Sequence, residues 1–97
     1  MAVEPGGAPG APSALFVTSE IFPFSKTGGL GDASAALVSA LRAAGADVRS
    51  ISPGYSGALG KAAGARSVMR LAPFAGFAAG GILAVEDETG ATHYVVR

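Results

Sequence analysis

A glycine-rich segment with a single lysine joins an apolar run to a stretch with helical periodicity. This order of segments constrains the fold more than any other feature of the sequence. The segment runs from Glu20 to Asp32 and reads EIFPFSKTGGLGD. It follows the apolar residues 14–19 and precedes residues 33–44, whose small apolar side chains recur with helical spacing. Unpaired N–H groups and the positive end of the helix dipole lie at a helix start. This corner therefore predicts an anion site, most typically for phosphate.

The same order predicts a strand, a helix and a second strand. Residues 14–19 are short, apolar and partly β-branched, which is typical of a buried interior strand of a parallel sheet. Residues 20–30 are predicted as a loop because Pro23 interrupts the strand. The second strand is predicted at residues 47–52. Such an order gives a βαβ unit with a right-handed crossover.

The intervening helix is predicted to start at Gly31 or Asp32 and to end before Gly45. Six of its residues fall on one face at helical spacing, and their small side chains predict close packing of this face against the sheet. They are Ala33, Ala36, Leu37, Ala40, Leu41 and Ala44.

The second half of the chain predicts further strands. Residues 57–65 are typical of a surface loop or a poorly formed helix. Strands are predicted at residues 67–71, 77–85 and 93–96, with a hairpin turn at residues 86–90. A finished α/β domain needs helices on both faces of its sheet, so a chain that ends in a strand pattern predicts a truncated domain.

Composition excludes several functional classes. The chain has 97 residues, with 7 basic and 7 acidic side chains and no cysteine. The equal numbers of basic and acidic side chains argue against binding of nucleic acid or an anionic membrane. The absence of cysteine excludes disulfides and thiol chemistry. Residues 71–85 are uncharged but too short and too rich in Gly and Pro for a spanning helix, which favours two strands and a turn. A membrane-associated remnant driven by this stretch stays open as an alternative.

Other motifs fit poorly. A Walker A loop needs its lysine after the glycines, whereas Lys26 precedes them. A dinucleotide fingerprint fails because Ser34 occupies its last glycine position and no acidic residue ends the second strand. His93 is the only histidine and is expected to be structural. Neither a metal site nor a Ser/His/Asp arrangement is predicted, and no cofactor is expected.

The lysine-glycine segment also carries a family resemblance. The core Lys26–Leu30, with Glu20 and Pro23 before it and Asp32 after it, resembles the N-terminal signature of glycogen and starch synthases. The similarity extends over residues 15–55, including 47–49 and 52–55. Gly31 departs from the bacterial members, which most often have alanine there, and Ala33-Ser34 departs from the branched residue that is usual after the aspartate.

The resemblance implies a fold and a function. The fold would be α/β, a partial Rossmann-like N-terminal lobe of a two-lobed (GT-B type) glycosyltransferase, with a βαβ unit followed by a β-hairpin region. Residues 1–13 would be a disordered leader and residues 14–97 an incomplete catalytic lobe. The reaction would transfer glucose from ADP-glucose, or UDP-glucose, to the non-reducing end of an α-1,4-glucan with retention.

The resemblance also implies which residues bind substrate. They are Lys26, Thr27, Gly28, Gly29, Asp32 and Glu20. Catalytic residues are not assigned within this chain, which is expected to be inactive alone because the C-terminal lobe supplies most of the nucleotide pocket. The expected location is the cytoplasm, or a plastid for a plant source. A non-catalytic sugar-phosphate-binding module or a degenerate relative is the alternative.

Overall fold

The computed structural model describes residues 10–61 and 64–97. Most of the predicted leader, residues 1–9, lies outside this range, as do residues 62 and 63 of the predicted surface loop. Seven elements follow one another along the described chain: β1 (Ser13–Val17), α1 (Gly29–Ala43), β2 (Asp47–Pro53), α2 (Ser56–Lys61), β3 (Arg66–Leu71), β4 (Gly80–Glu86) and β5 (Thr92–Val96).

The strands form one mixed sheet in the order β1-β2-β5-β4-β3. β1 pairs with β2 in parallel, with Leu15 opposite Arg49, so the predicted βαβ pairing is confirmed. β5 also pairs in parallel with β2, with Ser50 opposite His93, and this pairing was not predicted. β4 lies antiparallel between β5 and β3, which confirms both the hairpin at residues 86–90 and the two strands with a turn over residues 71–85.

The first strand differs from its prediction. β1 was expected to be a buried interior strand, but it lies at the end of the sheet order and four of its five residues are exposed. An apolar run indicates that a strand tends to be buried. It does not determine how many strands lie beside it, because that number depends on the rest of the sheet. Among the described residues β1 pairs with β2 alone.

Helix α1 was predicted with the wrong face toward the sheet. Val38 is 2% exposed, whereas its neighbour Leu37 is 45% exposed. The buried residues of the helix are Gly31, Ser34 and Val38, and they lie nearly opposite the predicted alanine and leucine face. Because alanine is abundant around the whole helix, the periodicity does not select one face. The helix also begins at Gly29, two to three residues earlier than predicted.

The core lies where α1 and α2 pack on the sheet. Its buried members are Ile21, Phe24, Val38, Val48, Ala58 and Val95. Two of them, Ile21 and Phe24, come from the loop between β1 and α1. The core therefore fixes the position of the loop that carries the lysine and the glycines.

Residues 57–65 were predicted to be a surface loop or a poorly formed helix. A short helix, α2, occupies Ser56–Lys61 in this part of the chain. Neither helix of the described residues is long and apolar enough to cross a membrane.

Candidate functional site

The loop between β1 and α1 is anchored at its centre. Ile21 and Phe24 are buried, and the backbone N–H groups of Phe24 and Ser25 donate to the Ile21 carbonyl at 2.9 and 3.0 Å. The Phe22 N–H donates to the Gly31 carbonyl at 3.1 Å, which ties the loop to the first turn of α1. The Phe22–Pro23 peptide bond is cis. These contacts place Lys26 and the glycines beside the helix start at the carboxyl end of β1.

Glu20 and Thr27 close the loop. The Thr27 N–H donates to Glu20 Oε1 at 3.1 Å, and the Thr27 hydroxyl donates to Glu20 Oε2. The hydroxyl bond, followed by the N–H bond, lowers the pKa of Glu20 below its ordinary value. Glu20 is therefore an ionised carboxylate at neutral pH, and its two oxygens hold Thr27 next to Lys26.

Lys26 lies against the first turn of α1. Its Nζ is 2.7 Å from Asp32 Oδ2, and both side chains are about half exposed. A Cβ built on Gly31 would lie 2.9 Å from the Ser25 carbonyl oxygen and 3.1 Å from Lys26 Cβ. Glycine at position 31 therefore allows the lysine segment to pack directly on the helix. Asp32 keeps the ammonium near the helix N-terminus.

Gly28 and Gly29 face open space. A Cβ at either position would meet no other described residue within 4 Å, and Gly28 has φ −169°, an extended conformation that any residue adopts. No hydrogen bond is found for their N–H groups within residues 10–61 and 64–97. Neither internal packing nor backbone strain accounts for these glycines. What they offer is bare amide groups that a ligand can approach closely.

A helix that started at Gly31 or Asp32, as predicted, could use Asp32 as its N-cap, but the structure does not place Asp32 there. The N-cap is Gly28, which makes no side-chain cap bond, and Asp32 lies in the first turn. The earlier helix start causes the difference. An uncapped N-terminus leaves the first N–H groups of α1 available.

A cleft of about 540 Å³ opens between α1, the Phe22–Phe24 part of the β1–α1 loop and the β4–β5 turn. Phe24 and Val38 line its apolar part, and its charged lining residues are Glu86, Asp87 and Glu88. Acidic side chains repel a diphosphate, so this cleft does not suit the predicted ligand. The lysine-glycine corner remains the better candidate.

Ser50, His93 and Asp87 form a hydrogen-bonded chain that the sequence did not predict. His93 Nδ1 lies 2.6 Å from Ser50 Oγ, and His93 Nε2 lies 2.9 Å from Asp87 Oδ2. The expectation that no Ser/His/Asp arrangement forms is therefore wrong, because the parallel β2–β5 pairing sets Ser50 opposite His93. Ser50 is 0% exposed, so a substrate cannot reach its hydroxyl. The chain links β2, β5 and the β4–β5 turn, in agreement with a structural His93.

Asp87 organises that turn. Burial opposes its ionisation, but hydrogen bonds from His93, from the Thr89 hydroxyl and from the N–H groups of Ala91 and Thr89 outweigh burial and lower its pKa to about 2. Across the described residues no group of three or more metal-ligating side chains comes together. The hydrogen bonds of Asp87 therefore hold the hairpin turn in place.

The structure brings the predicted site residues together in pairs. Glu20 bonds with Thr27, Lys26 pairs with Asp32, and Gly28 and Gly29 join the two pairs to the helix. Sequence reasoning missed the roles of two residues. Thr18 Oγ1 lies 3.3 Å from Ser34 Oγ, so these hydroxyls connect the end of β1 with α1. Ser34 is not among the six residues of the predicted buried face, so the periodicity gave no sign of its burial.

An α/β lobe with a lysine-glycine corner at a strand end is typical of enzymes that bind phosphorylated or nucleotide-activated substrates. Comparison with known proteins narrows this class. The family model of the starch synthase catalytic domain matches residues 13–97. The chain therefore belongs to the starch synthase catalytic domain family.

Individual relatives agree with the family. A glycogen synthase from Bordetella petrii is 42% identical over 84 residues, covering 87% of this chain and 16% of the relative. Glycogen synthases from Nitrosomonas europaea and Paramagnetospirillum magneticum are 65% and 56% identical over 48 and 55 residues, which are 50% and 57% of this chain. These two alignments cover 10% and 11% of the relatives. The chain thus spans less than a fifth of each relative's length.

Proposed function

We propose that this chain is the N-terminal part of a glucosyltransferase that extends an α-1,4-glucan. The donor is ADP-glucose, with UDP-glucose as the less favoured choice, and glucose is added at the non-reducing end with retention of configuration. The full-length protein has two Rossmann-like lobes of the GT-B type, works in the cytoplasm, and is inactive when reduced to these 97 residues. Family membership and relatives named glycogen synthase support this proposal.

One observation supports the donor site most strongly. Gly28 and Gly29 carry amide groups with no partner among the described residues, open space above them, and no conformational need for glycine. The lysine ammonium lies next to the same helix start. Bare amides and a cation at one corner fit the oxygens of a diphosphate, and the absence of a Cβ allows close approach.

The residues then take distinct roles. As the bond between glucose C1 and the diphosphate oxygen breaks, negative charge builds on the leaving group, and Lys26 and the glycine amides stabilise it. Asp32 holds Lys26 beside the helix start and lies near the sugar. Glu20 and Thr27 fix the loop at the end of β1, and Glu20 lies in the cleft between the two lobes of the full-length protein.

The test is made in the full-length protein. Replacement of Lys26 by Gln removes the cation, and replacement of Gly29 by Ala adds a Cβ that has no neighbour within 4 Å among the described residues. Because charge-assisted hydrogen bonds contribute about 1.5–3 kcal/mol, we expect kcat/KM for ADP-glucose to fall roughly 10- to 100-fold in Lys26→Gln. Gly29→Ala should weaken donor binding while the unfolding midpoint stays unchanged.

The matched control is Arg70→Gln, which removes another exposed cation on β3. Its kinetics should equal those of the unmodified enzyme. Unchanged turnover and donor affinity in Lys26→Gln would remove the proposed role of the lysine. The 97-residue chain in the same assay should transfer no glucose, and binding of ADP-glucose by a full-length protein that transfers nothing would point to the non-catalytic module.

A further inference from the structure

Thr18 joins three parts of the fold at the point where β1 ends. Its N–H donates to the Ile51 carbonyl of β2 at 3.1 Å, which fixes its backbone to the sheet. Its hydroxyl donates to the Glu20 carbonyl at 2.9 Å and accepts from the Glu20 N–H at 3.3 Å. The same hydroxyl lies 3.3 Å from Ser34 Oγ of α1. Thr18 therefore connects the sheet, the β1–α1 loop and the helix.

The direction of these bonds follows from the single hydrogen of a hydroxyl group. Thr18 gives its hydrogen to the Glu20 carbonyl, so it accepts from the helix and the Ser34 hydroxyl donates. Ser34 is 2% exposed, and a buried hydroxyl without a partner has an energetic cost. A valine at position 18 would neither accept from Ser34 nor hold the backbone of Glu20.

These bonds belong to a hydrogen-bonded ring that begins and ends on α1. The ring passes from a buried hydroxyl of the helix through the end of β1 and the loop, and it returns to the first turn of the helix by an ion pair. Four of the six predicted site residues belong to it, and Gly28 and Gly29 follow directly in the chain. The members of the ring, in order, are Ser34, Thr18, Glu20, Thr27, Lys26 and Asp32.

Thr18 supplies the part of this ring that is shielded from water. The bonds between Thr27 and Glu20 are exposed, and the side chains of Lys26 and Asp32 are about half exposed. Exposed bonds compete with water and contribute little by themselves. The Glu20 carboxylate stays on Thr27 only while its own backbone is fixed, and the Thr18 hydroxyl fixes that backbone with two partly buried bonds. Loss of this hydroxyl would therefore release Glu20, and with it the lysine segment.

We propose that Thr18 is a positioning residue for the donor site, which acts through Glu20 and Thr27 to hold Lys26 and the glycine amides beside the start of α1. This inference rests on the proposed function for the identity of the donor. The Thr18 hydroxyl is used by groups of the protein, so Thr18 acts without touching the donor. By restricting the loop before binding, it reduces the free energy that ordering of the corner requires when the diphosphate binds.

The first measurement uses the 97-residue chain and needs no donor. Thr18→Val removes the hydroxyl at nearly constant shape, and Thr18→Ser keeps it. Because the bonds from the hydroxyl and the N–H of Thr27 lower the pKa of Glu20, a released Glu20 should titrate closer to its ordinary value of 4.5. Carbon NMR of the Glu20 carboxyl group should show this rise in Thr18→Val and no rise in Thr18→Ser.

The second measurement uses the full-length protein. We expect Thr18→Val to raise KM for ADP-glucose about fivefold, because it removes hydrogen bonds of ordinary strength. KM for glycogen should stay unchanged, and Thr18→Ser should retain both values. A hydroxyl that only stabilised the fold would lower the fraction of active protein, and thus kcat, without changing either KM.

A double variant tests the route through Glu20. If Thr18 acts on the donor site through the Glu20 carboxylate, adding Thr18→Val to Glu20→Ala should raise KM for ADP-glucose no further. The matched control is Ser19→Ala, which removes the neighbouring exposed hydroxyl and should change neither KM nor the titration of Glu20. An equal rise of KM with and without the Glu20 carboxylate would overturn the proposed route.

The proposed function and this inference fail separately. A Glu20 that titrates identically in Thr18→Val and in the unmodified chain would overturn the role of Thr18, whatever the activity of the full-length protein. Full-length protein that transfers no glucose from ADP-glucose would contradict the enzymatic proposal, and a raised pKa of Glu20 in Thr18→Val would still support the positioning of the loop.

A second variant covers the case in which Thr18→Val does not fold. Ser34→Ala opens the same ring at its helix end and keeps a residue that favours helix. The pKa of Glu20 should again rise toward its ordinary value in this variant. An unchanged titration of Glu20 in Ser34→Ala would then count against the ring and overturn the proposal.

Discussion

Glu20 shows how a single residue prepares the site. Its two carboxylate oxygens accept from the backbone and the hydroxyl of Thr27, so the carboxylate spans the loop that contains Lys26. A surface carboxylate without these bonds would fix no loop geometry. Here the pKa of Glu20 is lowered, first by the hydroxyl bond and then by the N–H bond.

Replacing Thr27 by Val removes the hydroxyl donor but keeps the N–H. We expect the pKa of Glu20 to rise toward its ordinary value of 4.5, because hydrogen bonds to the charged form favour that form. Carbon NMR of the carboxyl group during a pH titration measures this change. Thr27→Ser retains the hydroxyl and should titrate as the unmodified chain does, and a Val variant that also does so would contradict the prediction.

At the scale of the element, α1 shows a limit of periodicity. The alanine and leucine face predicted to be buried is exposed, and the face with Gly31, Ser34 and Val38 is buried. The anchored loop determines this rotation, since the Phe22 bond to Gly31 and the packing of Lys26 on Gly31 fix the first turn. Because the side chains of an alanine-rich helix are small, they offer little steric resistance to this rotation of α1.

Neighbouring substitutions on α1 test this assignment in the 97-residue chain. Val38→Ala should lower the free energy of unfolding by roughly 2 kcal/mol, because it removes buried methyl groups and leaves a cavity. Leu37→Ala should change it by less than about 0.5 kcal/mol, because Leu37 is exposed. Urea denaturation measures both. An equal loss in the two variants would mean that Leu37 is buried in solution.

At the scale of the whole molecule, the sheet has one well-covered face. The core contains residues of both helices, of the β1–α1 loop and of the sheet, while Leu15 and Val17 of β1 are exposed. Ser50 and His93 are both buried on the covered face, where the His93 ring lies 5.1 Å from that of Phe24. The hydrogen-bonded chain from Ser50 through His93 to Asp87 links β2, β5 and the hairpin turn to one another.

This linkage predicts a pH dependence. The pKa of Asp87 is lowered from 3.8 to about 2, so its contribution to stability is complete above the unfolded value and disappears as pH falls through the folded value. Asp87→Asn should be less stable by about 1 kcal/mol at pH 6, since Asp87 is partly exposed and its bonds are screened. The difference should shrink between pH 4 and about pH 2.

Urea denaturation at several pH values measures this difference. Glu88→Gln changes the neighbouring exposed carboxylate and should show no such pH dependence. A deficit of Asp87→Asn that is the same at pH 2 and pH 6 would show that the ionised carboxylate is not responsible.

The amino-acid sequence by itself determined the local features of this protein. The strand, glycine-rich loop, helix and strand follow from periodicity, from Pro23 and from the glycines, because these signals act between residues close along the chain. The candidate site could be predicted from the sequence for the same reason, since its residues lie within one short segment. They include Glu20, Lys26, Gly28 and Asp32.

Only the tertiary structure decided what depends on distant residues. It determined that α1 buries the face that contains Val38 and that β1 lies at the end of the sheet order. It also placed Ser50 beside His93 through the parallel pairing of β5 with β2, which was not predicted. These arrangements follow from packing and strand order, and neither is encoded in the spacing of residues along a single element.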